Sequence, residues 1–135
     1  MRLAVDTNIL ISALLKKSLS RKLWFEAEIE LCAPEYVVDE LHESEAEILE
    51  KFDGSPTEFA KLENLLLKKI KLIRAETLLP FLPASRTIIE DEGDLAFIAC
   101  ALYLGCDIWS NDKDFKRQGR IRAWTTEELA KELGF

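Results

Sequence analysis

At 135 residues and 48% hydrophobic side chains, the chain is long enough for one compact domain with its own core and too short for two. Eighteen Lys and Arg against 25 Asp and Glu leave a net charge of −7, which speaks against binding to nucleic acid through overall charge but not against a local basic rim. The three cysteines, Cys32, Cys100 and Cys106, follow no metal-ligand spacing and read as buried free thiols in a reducing compartment.

Arg2 to Val5 is a short apolar run ending at Asp6-Thr7-Asn8, after which Ile9, Leu10, Ala13 and Leu14 recur at helical spacing. Strand, turn and helix are expected in that order. Ser18 to Ile29 continues as a second helix, with Lys16, Lys17, Arg21 and Lys22 gathered near its start. Leu31-Cys-Ala is a second strand, stopped by Pro34, which suits the first turn of a helix running from Glu35 to Glu50. Ser55, Pro56 and Glu58 form a capping box that opens a helix over Thr57 to Leu67. Ile70 to Ile73 is a third strand, and Glu76 to Ile89 is helical in part, broken by Pro80 and Pro83.

From Leu95 to Leu104 every residue is apolar or small, too many for a helix with one wet face, so a nearly enclosed helix is expected. Gly105 is its terminator, and Asp107-Ile-Trp-Ser a buried strand that follows. Ile121 to Trp124 reads as an edge strand, and Thr125-Thr-Glu-Glu128 caps a last helix to Leu133. Met1 leads straight into the first strand and no apolar run approaches the roughly 18 residues of a membrane span, so a cytoplasmic protein with no membrane partner is expected.

Strands separated by helices throughout imply a single α/β domain over residues 1–135, a doubly wound parallel sheet of about five strands flanked by helices. Its ligands belong outside the C-terminal strand ends. Asp6 and Asp112 each follow an apolar strand, so both carboxylates emerge at that rim. Asp94 shares the helical stripe of Ile98, Ala101 and Leu102, and Glu40 sits one turn from Val37 near the inward face of its helix.

Each acid has a plainer reading. Asp6 and Asp112 serve equally as strand-end turn residues, Asp91 as a helix cap and Glu40 as a solvated helix residue. Taken together they are harder to dismiss, because two carboxylates about 4 Å apart repel by roughly 4 kcal/mol at an effective dielectric of about 20. A divalent cation resolves such a cluster, and all-carboxylate ligation suits Mg²⁺ or Mn²⁺. Mg²⁺ in turn favours substrates that bring phosphate oxygens.

The pattern D-T-N-I-L from Asp6, V-V-D-E-L through Glu40, G-D-L-A-F-I-A-C-A-L from Gly93 and S-N-D-K-D-F closing on Phe115 resembles the PIN-domain nucleases, VapC-like toxins among them. The resemblance spans essentially the whole chain and implies a PIN-like, Rossmann-like three-layer fold. It would place the catalytic and metal-binding acids at Asp6, Glu40, Asp94 and Asp112, with Asp91 as an additional ligand. Asn8 would orient a ligand or bind phosphate, or else cap the first helix, and Ser110 and Asn111 would line the polar turn that positions substrate.

The resemblance further implies a metal-dependent endoribonuclease, often a homodimer and often the toxin of a toxin–antitoxin pair with a protein antitoxin. Lys16, Lys17, Arg21 and Lys22, together with Lys113, Lys116, Arg117, Arg120 and Arg122, would supply a local track for RNA or are simply solvated faces. Two rivals stand beside this reading. One is a metal-dependent phosphatase of the haloacid-dehalogenase-like kind, which wants an Asp where Asn8 stands. The other is a non-catalytic PIN-like domain that binds RNA or protein.

Overall fold

The computed structural model describes residues 1–135 and shows a five-stranded sheet in the order β3-β2-β1-β4-β5, every pair parallel. The strands are β1 (Arg2–Val5), β2 (Glu30–Pro34), β3 (Ile70–Ile73), β4 (Asp107–Trp109) and β5 (Ala123–Trp124). From β1 the chain winds outward to β2 and β3, then returns to the other side of β1 for β4 and β5. The order therefore reverses between β1 and β4, and in such sheets the crevice at that point is where ligands bind.

The helices flanking the sheet are α1 (Thr7–Leu15), α2 (Leu19–Glu26), α3 (Tyr36–Glu43), α4 (Glu45–Lys51), α5 (Pro56–Lys68), α6 (Ala75–Leu78), α7 (Leu82–Arg86), α8 (Leu95–Leu104), α9 (Lys113–Arg117) and α10 (Thr126–Leu133). Short 3₁₀ turns occupy Leu79–Phe81 and Glu92–Asp94. The α8 helix packs on β1, β2 and β4 with Leu95, Phe97, Ile98, Ala99, Cys100 and Ala101 all buried, as its composition requires. Only Tyr103 reaches far into solvent, where its ring meets Phe81 edge-on. Gly105 ends the helix at φ 63°, a left-handed conformation that costs any residue with a Cβ about 1 kcal/mol or more. On the core side of α2, the Trp24 ring lies 5.9 Å from that of Trp109, and its Nε1 donates to the Leu66 carbonyl at 3.0 Å.

Both capping boxes form, at Ser55 with Glu58 and at Thr125 with Glu128. Four boundaries differ from expectation. The helix after Ser18 stops at Glu26, where Ala27 turns extended so that the chain can enter β2 at Glu30. Pro34 closes β2 instead of opening a helix; it sits at the strand's end, and the next amide, that of Glu35, donates to the Ile73 carbonyl at 2.8 Å. The long helix expected from Glu35 to Glu50 is two helices that meet at Ser44, whose amide closes the first by donating to the Glu40 and His42 carbonyls. Finally, β5 pairs only through Ala123 and Trp124, although the Arg122 carbonyl still accepts from Ile108 N at 2.9 Å. Pro80 and Pro83 break Glu76–Ile89 into three short pieces, each proline sitting in the first turn of the piece that follows.

Candidate metal centre

The register places Val5 opposite Trp109, so the next residues of the two strands, Asp6 and Ser110, emerge side by side at the C-terminal edge. The Asp6 amide continues the ladder to the Trp109 carbonyl at 3.1 Å, and the chain then turns into α1. Asp6 itself caps that helix: its Oδ1 accepts from Asn8 N at 3.4 Å while Oδ2 accepts from Ser110 Oγ at 2.8 Å. The cap is thus Asp6, and Asn8 is an exposed first-turn residue that supplies the amide.

Asp112 repeats this design on the neighbouring strand. Its Oδ1 accepts from Asp114 N at 2.8 Å and caps α9, and its own amide donates to Ser110 Oγ at 3.0 Å. Ser110, almost wholly buried, therefore bridges the two strand-end acids. Capping leaves each carboxylate with lone pairs to spare, because an ionised carboxyl can accept about four bonds. The turn reading and the ligand reading are compatible.

Glu40 reaches the same cleft from α3, its Oε1 accepting from Thr7 Oγ1 at 2.8 Å. Asp94 arrives from the 3₁₀ turn ahead of α8. The cleft has a volume of about 160 Å³ and is lined by Asp6, Thr7, Asn8, Glu40, Glu43, Asp94 and Asp112 among others. Segments drawn from four parts of the chain thus bring four carboxyls to the point where the strand order reverses.

Electrostatics follow from that crowding. Burial raises the Asp6 carboxyl, opposed by the hydrogen bonds from Ser110 and Asn8, with Asp112 adding a smaller upward push. Burial also raises Glu40, while Thr7 lowers it and Asp6 raises it further. Asp94 is pushed up to about 7, first by burial and then by the charges of Asp91, Asp112, Asp6 and Asp114, with no donor to oppose them.

The tightest grouping is not the expected quartet. Carboxylate oxygens of Asp91, Asp94 and Asp114 all lie within 4.8 Å of one another. Asp94 belongs to both sets and joins the cleft to the exposed pair Asp91 and Asp114. Asp91 also caps the 3₁₀ turn, its Oδ1 accepting from Gly93 N at 2.8 Å. Asp114 was legible only as an acid two residues beyond Asp112, and Thr7 only as a hydroxyl beside Asp6. Glu43 lines the cleft because it stands three residues after Glu40 on one helix face. The donor set is all oxygen and all anionic, which fits a hard divalent ion.

Asn111 does not face this cleft. Its amide brackets Thr126 instead, with Oδ1 accepting from Thr126 N at 2.8 Å and Nδ2 donating to Thr126 Oγ1 at 3.1 Å. The basic residues are also partly committed. Arg21 turns inward to the Ala13 and Leu14 carbonyls at 2.6 and 3.1 Å, so it caps the end of α1 and leaves the expected RNA track. Lys116 pairs with Glu128, Arg117 with Asp114 at 3.1 Å, and Arg122 stacks 3.7 Å above the Trp124 ring.

A family model described as PIN domain matches residues 4–134. A search of curated proteins gives no match. Among solved structures, the chain is similar to one described as the crystal structure of VapBC2 from Rickettsia felis bound to a DNA fragment from their promoter. That likeness has a TM-score of 0.69 at 17% identity and covers 93% of this chain and 98% of the other.

Proposed function

The chain belongs to the PIN-domain family, and from that premise we propose that it is a metal-dependent endoribonuclease that hydrolyses RNA phosphodiesters. The observation that carries this reading is the convergence of Asp6, Glu40, Asp94 and Asp112 on one cleft at the strand-order reversal, three of them with carboxyls raised above their ordinary values. Perturbed acids gathered in a cleft mark a candidate catalytic centre.

Mg²⁺ or Mn²⁺ held there would lower the pKa of a bound water and offset charge on the leaving oxygen. The chain's own residues supply the rest. Ser110 fixes the rotation of the Asp6 carboxylate, and Thr7 does the same for Glu40, so both acids meet a cation already oriented. Burial and the neighbouring carboxylates push Asp94 up to about 7, and a cation held there would favour its ionised form. Asp91 and Asp114 extend the acidic wall to one side, close enough to Asp94 for a second ion.

The likeness to a VapBC2 complex supports a toxin role with a protein antitoxin as partner. The three free cysteines support a reducing, cytoplasmic setting, and no helix is long and apolar enough to cross a membrane. A homodimer is the expected assembly.

The test is cleavage of a mixed RNA pool with Mn²⁺, with EDTA, and by the Asp6→Asn and Asp94→Asn variants. Cleavage should need the metal and both acids, and Mn²⁺ should raise the Tm of wild type but of neither variant. Wild-type cleavage that survives EDTA or either substitution would sink the metal mechanism. A protein that never cuts and shows no Mn²⁺ response would instead be a non-catalytic binding domain.

A further inference from the structure

Beside the acid cleft lies a larger one, about 560 Å³, within the size range of small-molecule sites. Ile88 and Ile89 give it an apolar surface, and Glu90, Asp91, Asp114, Arg117 and Gln118 its polar groups, with the Gln118 amide already committed to backbone atoms of Phe115, Arg120 and Ile121. The two clefts meet at the acids, because Asp91 and Asp114 line the larger one while their oxygens lie within 4.8 Å of those of Asp94, which lines the smaller. An RNA strand whose phosphodiester sits at the acids therefore has a neighbouring nucleoside at the larger cleft.

The chemistry of that cleft selects which part of a nucleotide enters. Three carboxylates face one guanidinium, and that guanidinium already gives Nη1 to Asp114 at 3.1 Å. With no second cation bound at Asp91 and Asp114, a phosphate would be repelled there. An uncharged planar base is not, since the isoleucines offer an apolar surface to its face and the polar groups can meet its edge. Glu90 makes no ion pair or hydrogen bond within the chain, so its carboxylate is free to accept from two adjacent N–H donors. Arg117 retains four N–H donors after its bond to Asp114, and a guanidinium fork suits the O6 and N7 acceptors of guanine. Guanine alone among the four RNA bases presents both an O6/N7 acceptor pair and an adjacent N1–H and N2 amine donor pair.

We propose, resting on the nuclease reading above, that the cleft formed by Ile88, Ile89, Glu90, Asp91, Asp114 and Arg117 seats a guanine base beside the scissile phosphate. Glu90 is then a specificity-determining residue, reading the donor edge, and Arg117 reads the acceptor edge. Both side chains are exposed, so substitution leaves the fold intact.

The experiment is to cut a random-sequence RNA pool with Mn²⁺, sequence the ends, and compare wild type with Glu90→Gln and Arg117→Lys. Wild type should enrich guanine at one position flanking the cut. Each variant should weaken that enrichment about ten-fold, the size of one bidentate base contact, while cutting elsewhere in the pool and keeping the Mn²⁺-induced rise in Tm. Wild-type cuts without a guanine preference, or a preference unchanged in both variants, would overturn the base pocket and leave the nuclease reading standing. A wild type that does not cut at all would overturn both.

Discussion

Two polar clusters sit on opposite sides of the short segment Trp109 to Asp112, and they are built on opposite rules. The chain is extended there, so side chains alternate: Trp109 and Asn111 point one way, Ser110 and Asp112 the other. On the first side, Thr126 Oγ1 accepts from Trp109 Nε1 and Asn111 Nδ2, each at 3.1 Å, and lies 3.3 Å from Ser20 Oγ. With both lone pairs taken, the Thr126 hydroxyl must donate to Ser20. Donors and acceptors match. On the second side, five carboxyls line a small cleft with few donors among them, and Asp94 has none. The first cluster locks β4, α2 and α10 together; the second is an anionic site whose all-oxygen donors fit a hard divalent cation. Buried polarity that is satisfied reads as scaffold, and polarity left in surplus reads as function.

The largest effect on stability should come from the matched cluster. Thr126→Val keeps the shape but leaves the buried Trp109 Nε1 without an acceptor, at a cost of about 2 kcal/mol and a fall in Tm on the order of 5 °C. The Mn²⁺-induced increment in Tm should persist on the lower baseline. If Thr126→Val loses that increment while Asp94→Asn keeps it, the two sides of the segment do not divide as described.

A smaller effect should appear with pH. Asp94 has a folded pKa of about 7 against an ordinary 3.8, and Asp6 and Glu40 shift the same way, so the folded state favours their protonated forms. The associated stability is present in full below the unfolded values and is lost as pH rises through the folded ones. In EDTA the Tm should therefore decline between pH 5 and 8, and Asp94→Asn should flatten the decline. Saturating Mn²⁺ should offset it, because the ligands bind as carboxylates. A wild-type Tm in EDTA that climbs across this range would contradict the crowding.

Ser110→Ala and Thr7→Val should do least. Each removes one hydroxyl that orients an acid, worth about 1 kcal/mol, or roughly five-fold in apparent Mn²⁺ affinity by titration. Ser110→Thr should restore much of it if its hydroxyl is the part that matters.

Periodicity and local chemistry carried much of this protein. The enclosed helix over Leu95–Leu104, the two capping boxes and the parallel α/β arrangement are all legible, because apolar spacing and cap residues act within a few positions along the chain. Asp6 and Asp112 could be placed at one rim by the same logic, since acids that follow buried parallel strands leave the sheet at one edge. Boundaries were less legible where a local preference met a tertiary demand, as at Ser44 and at the chain's early turn into β2.

What the chain alone determined was the kind of fold and the inventory of acids. Which acids actually approach one another was decided in three dimensions. Asp114 joins Asp91 and Asp94, Asn111 turns away to Thr126, and Arg21 folds inward onto α1, although nothing in the spacing of these residues distinguishes them from their neighbours. Spacing fixes which side of a helix or strand a residue occupies. The distance between carboxylates from different elements depends on sheet order, register and the angle at which each helix leaves its strand, and those are set only when the core packs.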